Sequence, residues 1–148
     1  MKVVWFLALT AAMVAAILVI AGQMGFLMGK APKDLGVREA RLKRPSKTPN
    51  SVSSQAALHP DHPQREYADI AAFTFSGDGT AAVNRIADIL RNMPRTVVVT
   101  QESDYLYAQC TTSLLKFTDD VEFWLDRSAG AIQVRSASRV GRKDFNVN

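Results

Sequence analysis

Three groups of side chains carry the chemistry this sequence could perform. The run Arg135-Ser136-Ala137-Ser138-Arg139-Val140-Gly141 brings two guanidinium groups and two hydroxyls close together. Guanidinium forks bind carboxylate or phosphate bidentately, so one reading is a site for an anionic head group. The plainer reading is an ion-pair network in which Arg135 and Arg139 neutralise the adjacent carboxylates Asp119 and Asp120. Those two acids could instead do acid/base work, although acids ahead of a strand commonly serve turns. Cys110 is the single cysteine, which leaves no internal disulfide and no redox pair, and it reads as a small buried thiol. Both histidines fall in His59-Pro60-Asp61-His62-Pro63. With no third strong ligand at a recognisable spacing they read as part of a solvated linker, and neither a metal nor a cofactor is expected.

The elements that would position these groups lie mainly after Tyr67. Ile70–Phe75 reads as a strand, and Ser76-Gly77-Asp78-Gly79 as a turn with a helix N-cap. Ala82, Val83, Ile86, Ile89, Leu90 and Met93 recur at helical spacing, and Pro94 stops the run, which predicts an amphipathic helix of 13–15 residues. Four strands follow, over Thr96–Thr100, Tyr105–Leu114, Val121–Asp126 and a run from Ile132 that continues towards Ser138. Alternation puts Leu106, Ala108, Cys110 and Leu114 on the helix side, together with Ile132, Val134, Ser136 and Ser138. Tyr105, Tyr107, Trp124, Arg135 and Arg139 fall on the opposite side. Links of a few residues are too short for parallel crossovers. The expectation is an α+β domain over residues 67–148, an antiparallel sheet of four to five strands packed on one amphipathic helix.

Ahead of this domain, residues 1–29 form an anchor or signal segment. No charge occurs from Val3 to Gly29, a stretch long enough to cross a hydrocarbon core of about 30 Å as a helix. Lys2 and Val19-Ile20-Ala21 also fit a cleaved signal peptide, but the apolar run is long for one, which favours a single uncleaved transmembrane helix. Residues 30–66 contain five prolines and no sustained hydrophobic period, and read as a basic Pro/Ser-rich tether. Residues 30–47 hold seven basic against two acidic side chains, a net of +5. Residues 48–148 hold ten against twelve. The chain's net charge of +4 is therefore juxtamembrane, where it would favour anionic lipid, and is not spread over a folded face as a nucleic-acid site requires. Nucleic acid is excluded as a partner, and membrane lipid is expected through residues 3–29 and the flank 30–47. The positive-inside rule reads that flank as cytoplasmic.

The sequence resembles the domain-of-unknown-function family 1499 of bacteria and plant plastids. The likeness is carried by Leu35-Gly36-Val37, Thr48-Pro49-Asn50-Ser51-Val52-Ser53-Ser54-Gln55, Asp119-Asp120-Val121-Glu122-Phe123, and Arg135 to Gly141 with Asp144 and Asn148. It covers about residue 31 to the end. It implies a membrane-associated or exported protein and supplies no reaction. Many members carry a cysteine pair around the Pro-Asn element, where this sequence has Arg44 or Pro45 and Ser51, so a disulfide clasp is not available here. Relatives also usually continue past the position of Asn148 into a basic helix. Cysteine-bearing relatives imply an oxidising, extracytoplasmic location, against the charge rule, and the domain is expected on the periplasmic side.

Three functional readings follow. The first is a non-enzymatic, membrane-tethered binding or envelope-associated domain, in which Asp119, Asp120, Arg135, Ser136, Ser138, Arg139 and Asp144 contact an anionic small molecule or a membrane-protein partner. The second is a membrane-associated enzyme using Asp119 or Asp120 as acid/base, which needs both in one pocket with Arg139. The third is a subunit of a membrane complex, which needs an exposed apolar patch around Tyr107 and Trp124.

Overall fold

A computed structural model describes residues 1–144; Asn148 of the family motif lies outside the described residues. The chain begins with helix α1 (Lys2–Gln23), whose 22 apolar-rich residues are long enough to cross a membrane and are exposed along most of their length, with only Gly22 buried. A six-stranded antiparallel sheet follows, built from β1 (Ser51–Ser53), β2 (Phe73–Thr74), β3 (Thr96–Gln101), β4 (Tyr105–Thr111), β5 (Thr118–Asp126) and β6 (Ala131–Ser138). A four-residue helix, α2 (Arg65–Ala68), precedes β2, and the main helix α3 (Gly79–Asn92) lies between β2 and β3. The fold is α+β, as expected.

The sheet order is β1-β6-β5-β4-β3, with β2 also on β6. β1 takes Ala137, Ser136 and Arg135 of β6 and Ser54 takes both backbone groups of Val134, while β2 pairs with Ile132 and Ala131. That competition shortens the expected Ile70–Phe75 strand to two residues, and Ile70 packs into the core instead. β4 stops at Thr111, three residues before its expected end, and Leu114 is exposed in the hairpin that leads to β5. β5 starts at Thr118, so Asp119 and Asp120 are strand residues and not turn residues.

α3 begins where Asp78 accepts a hydrogen bond from Thr80 N at 2.9 Å, a side-chain N-cap. Its apolar stripe of Ala82, Val83, Ala87 and Leu90 packs on Leu106, Ala108, Phe123, Leu125, Ile132 and Val134. Each large side chain buried in this way stabilises the fold by about 1.5–3 kcal/mol.

The opposite face of the sheet is covered too, which corrects the reading of residues 30–66 as a tether. Leu35, Val37 and Leu42 pack on Tyr105, Tyr107 and Trp124. Leu42 is 4% exposed, and its amide donates to Gln55 Oε1 at 2.8 Å. Gly36 N donates to Glu122 Oε1 at 2.7 Å, and Ser46 N to Ser51 Oγ at 2.7 Å. His62 is buried, with Nε2 against Pro45 O at 3.1 Å and Nδ1 accepting from Gln64 N at 3.2 Å, so it pins this layer. Irregular backbone can line a sheet in this way because side chains satisfy its polar groups. The apolar patch expected at Tyr107 and Trp124 is consequently roofed over.

α1 is also fastened to the domain. Gly22 packs so closely on the β4–β5 hairpin that a Cβ there would lie 2.6 Å from Leu115 O. Gln23 Nε2 donates to the carbonyls of Ser113 at 3.2 Å and Leu114 at 2.8 Å. Gly29 makes a second close approach, to Arg139 and Val140.

Candidate functional site

Successive side chains of a strand point to opposite faces, so the adjacent acids of β5 are separated by their own backbone. Asp120 and Glu122 project to the face roofed by residues 35–42, and Asp119 to the face of α3. Register then selects their partners. Glu122 sits opposite Tyr107 on β4 and Arg135 on β6; Asp119 sits opposite Cys110 and Ser138.

On the roofed face the result is a ladder of two ion pairs. Arg139 grips Asp120 with both arms of its guanidinium, Nε to Oδ2 at 2.9 Å and Nη2 to Oδ1 at 2.7 Å. The Tyr107 hydroxyl donates to the same Asp120 oxygen at 2.5 Å and itself accepts from Gln109 Nε2 at 2.8 Å. One step along, Glu122 Oε1 accepts from the Tyr105 hydroxyl at 2.8 Å and from Gly36 N, and Glu122 Oε2 accepts from Arg135 Nη1 at 3.2 Å. Glu122 is 0% exposed and Arg135 4%. Arg135 Nε has no hydrogen-bond partner among the described residues. Bidentate, charge-assisted pairing of this kind gives geometric specificity, while the net energy of a buried pair is set by how fully its desolvation is offset.

Electrostatics follow from this packing. Burial pushes the Tyr105 phenol well above its ordinary range, and the Glu122 charge adds to that. Tyr107 is raised by burial and by the bond it gives Asp120. The Asp120 carboxylate beside Arg139 raises the guanidinium further, so it stays charged at every accessible pH.

The other face holds a cleft of about 340 Å³ at the end of the sheet, between the β4–β5 hairpin and the segment after β6. Asp119, Ser138, Lys143 and Asp144 supply its polar groups, and Phe117 and Val140 its apolar wall. Burial raises the Asp119 carboxyl above the usual carboxylate range; the Ser138 hydrogen bond opposes this, and the Asp144 charge reinforces it. Asp144 is buried, accepts from the Tyr67 hydroxyl, and donates its backbone N–H to Pro49 O at 3.1 Å. Asn50 closes the same corner, its carbonyl accepting from Ser138 N at 3.0 Å and its Nδ2 donating to Gly141 O at 2.9 Å. Ser136 is buried between Val52 and Val121.

The seven residues singled out in the sequence therefore divide. Asp120, Arg135 and Arg139 belong to the ladder; Asp119, Ser138 and Asp144 gather at the cleft; Ser136 lies between strands. Among the described residues Asp119 lines a cleft away from Asp120 and Arg139, because the sheet stands between the two acids. Glu122, Gly36, Tyr67 and Asn50 were not among the expected site residues. Glu122 could have been found, since period-two reading places it on the face of Arg135.

The family model for proteins of unknown function designated DUF1499 matches residues 33–148, and the chain belongs to that family. No curated protein and no solved structure matches it. The resembling motifs, far apart in sequence, contact one another in space. Leu35-Gly36-Val37 roofs Glu122, and the Pro49-Asn50 element holds Ser138, Gly141 and Asp144.

Proposed function

We propose that this family member is a single-pass membrane protein whose domain, on the outer side of the membrane, is a non-enzymatic binding module with its contact site at the Asp119–Ser138–Asp144 cleft. The observation that carries the reading is the position of that cleft. Its wall includes Thr112 and Phe117 of the same hairpin on which Gly22 and Gln23 of α1 are seated. A ligand drawn from the membrane would meet the cleft first. Carboxyl groups and a serine beside an apolar wall suit a head group that carries hydroxyl or amine donors on an apolar shoulder.

An anion clamp at Arg135 and Arg139 is less favoured, because both guanidinium groups already face carboxylates. Acid/base chemistry that needs Asp119 and Asp120 together is disfavoured by their opposite orientations. The test is calorimetric titration of the full chain in detergent with short-chain phosphatidylethanolamine, phosphatidylglycerol and phosphatidylcholine. Saturable binding that prefers the amine head group and is lost in Asp119→Asn, with cooperative unfolding retained, is the expected result. Equal binding by Asp119→Asn, or no binding to any of the three, would remove the cleft from the proposal. A reporter fused after residue 148 checks the side of the membrane.

A further inference from the structure

Where α1 meets the domain, apolar side chains cluster and are exposed among the described residues. Phe26 is 72% exposed and Leu114 58%, and Met24 and Val140 are exposed as well. They form one neighbourhood, since Gly22 packs on Leu115, Gln23 bonds Ser113 and Leu114, and Gly29 packs on Val140. Large apolar side chains gathered at one end of a folded domain mark a contact surface.

The level of this patch relative to a bilayer can be worked out from α1. Its 22 residues at about 1.5 Å each span about 33 Å, slightly more than a hydrocarbon core of about 30 Å. Gly22 and Gln23 then sit where hydrocarbon gives way to head groups, and whatever is bonded to Gln23 sits at the same depth. Lys30, Lys33, Lys116 and Arg142 lie close to the patch in sequence, and cations there suit anionic lipid.

We infer that the tip of the β4–β5 hairpin, with Met24–Met28 and Val140, is inserted into the bilayer interface, so that the domain rests on the membrane in one fixed orientation. The occupant of the apolar patch is the lipid surface itself. The inference rests on the membrane-anchor part of the proposed function and goes beyond it, since an anchor alone would leave the domain free to tumble. The cleft then opens at head-group level, and the β3–β4 turn at Ser103 points to water. Six residue steps along β4 separate that turn from the hairpin end of the strand by about 20 Å.

The test uses nitroxide labels on the full chain in nanodiscs containing phosphatidylglycerol, in a Cys110→Ala background. Labels are placed singly at Leu9→Cys, Leu114→Cys, Val140→Cys and Ser103→Cys, and collision rates with oxygen and with a water-soluble nickel chelate are compared. The expected result is a nickel collision rate several-fold lower at positions 114 and 140 than at 103, with position 9 most protected. If position 9 is protected while 114 and 140 match 103, the inserted footprint is overturned and the anchor stands. If position 9 is itself open to nickel, the anchor reading fails and the footprint with it.

Discussion

Replacing Glu122 with Gln alters one atom and one charge at the centre of the ladder. The amide oxygen can keep the bonds from Gly36 N and the Tyr105 hydroxyl, but the amide nitrogen then faces Arg135 Nη1, donor against donor. One charge-assisted hydrogen bond is lost, about 1.5–3 kcal/mol. Arg135 is left 4% exposed without its counter-ion, and breaking a buried pair from one side costs about 3–5 kcal/mol in total. With a urea m-value of about 2 kcal/mol per molar, a loss of about 3 kcal/mol lowers the midpoint by about 1.5 M. Arg135→Met should cost a similar amount, and the double variant Glu122→Gln/Arg135→Met much less than the sum, a coupling of at least about 2 kcal/mol. The assay is urea unfolding of the full chain in detergent micelles in a Trp5→Phe background, followed by circular dichroism and by Trp124 fluorescence. A midpoint shift for Glu122→Gln below about 0.5 M, equivalent to about 1 kcal/mol, together with additive single variants would refute the reasoning, because the carboxylate would then not be sealed against Arg135.

Three other outcomes are expected. Leu42→Ala should destabilise the domain by about 2–4 kcal/mol in the same assay, whereas a residue in a loose tether would change stability by less than about 0.5 kcal/mol. Asp119→Asn should stabilise the protein at neutral pH: the folded carboxyl is raised above its unfolded value of 3.8, so its ionised form opposes folding. That gain should vanish as pH falls below the unfolded value, where both proteins carry a neutral side chain, and paired thermal melts at acidic and neutral pH check it. Tyr105 and Tyr107 should remain un-ionised in the folded state beyond the ordinary tyrosine value of 10.0, while the unfolded chain ionises there. Stability should therefore decline as pH rises past that value, and phenolate absorbance should report both rings only when the domain unfolds.

β-branched content was enough to assign β3, period-two alternation to assign β4 to β6 and their faces, and helical spacing to assign the helix packed on them. Asp119 and Asp120 fall ahead of the alternating run that starts at Val121, and their divergence follows only from the start of β5 at Thr118, since neighbours in a strand cannot share a face. The roof over the second face was not legible, for physical reasons. β1 is three residues, Ser51–Ser53, with no alternation to detect, and all three are buried. Residues 35–47 are held by single bonds such as Leu42 N to Gln55 Oε1, which have no periodicity, and Glu39 and Ala40 adopt positive φ. Prolines and lysines gave this stretch the composition of a linker, while the family likeness already extended to about residue 31. The likeness was the better guide to the domain boundary. At the site, Arg139 with Asp120 was among the expected pairings. Arg135 with Glu122 was not, because Glu122 stands alone between Val121 and Phe123, whereas Asp119 and Asp120 form an adjacent pair.

The edge of the sheet has a consequence for how the chain reaches its folded form. Ser51 pairs with Ala137 and Phe73 with Ile132, so both early strands await the last one. Until β6 leaves the ribosome, Ser51–Ser53 have no strand to pair with, and Glu122 and Asp120 stand without their arginines. Contacts so distant in sequence fold slowly, because a long loop must close before any of them forms. The nascent domain would thus wait with β5 as an open edge, exposed to mispairing with neighbouring chains. Variants that weaken β6 should consequently reduce the yield of folded protein in cells by more than their equilibrium stability accounts for.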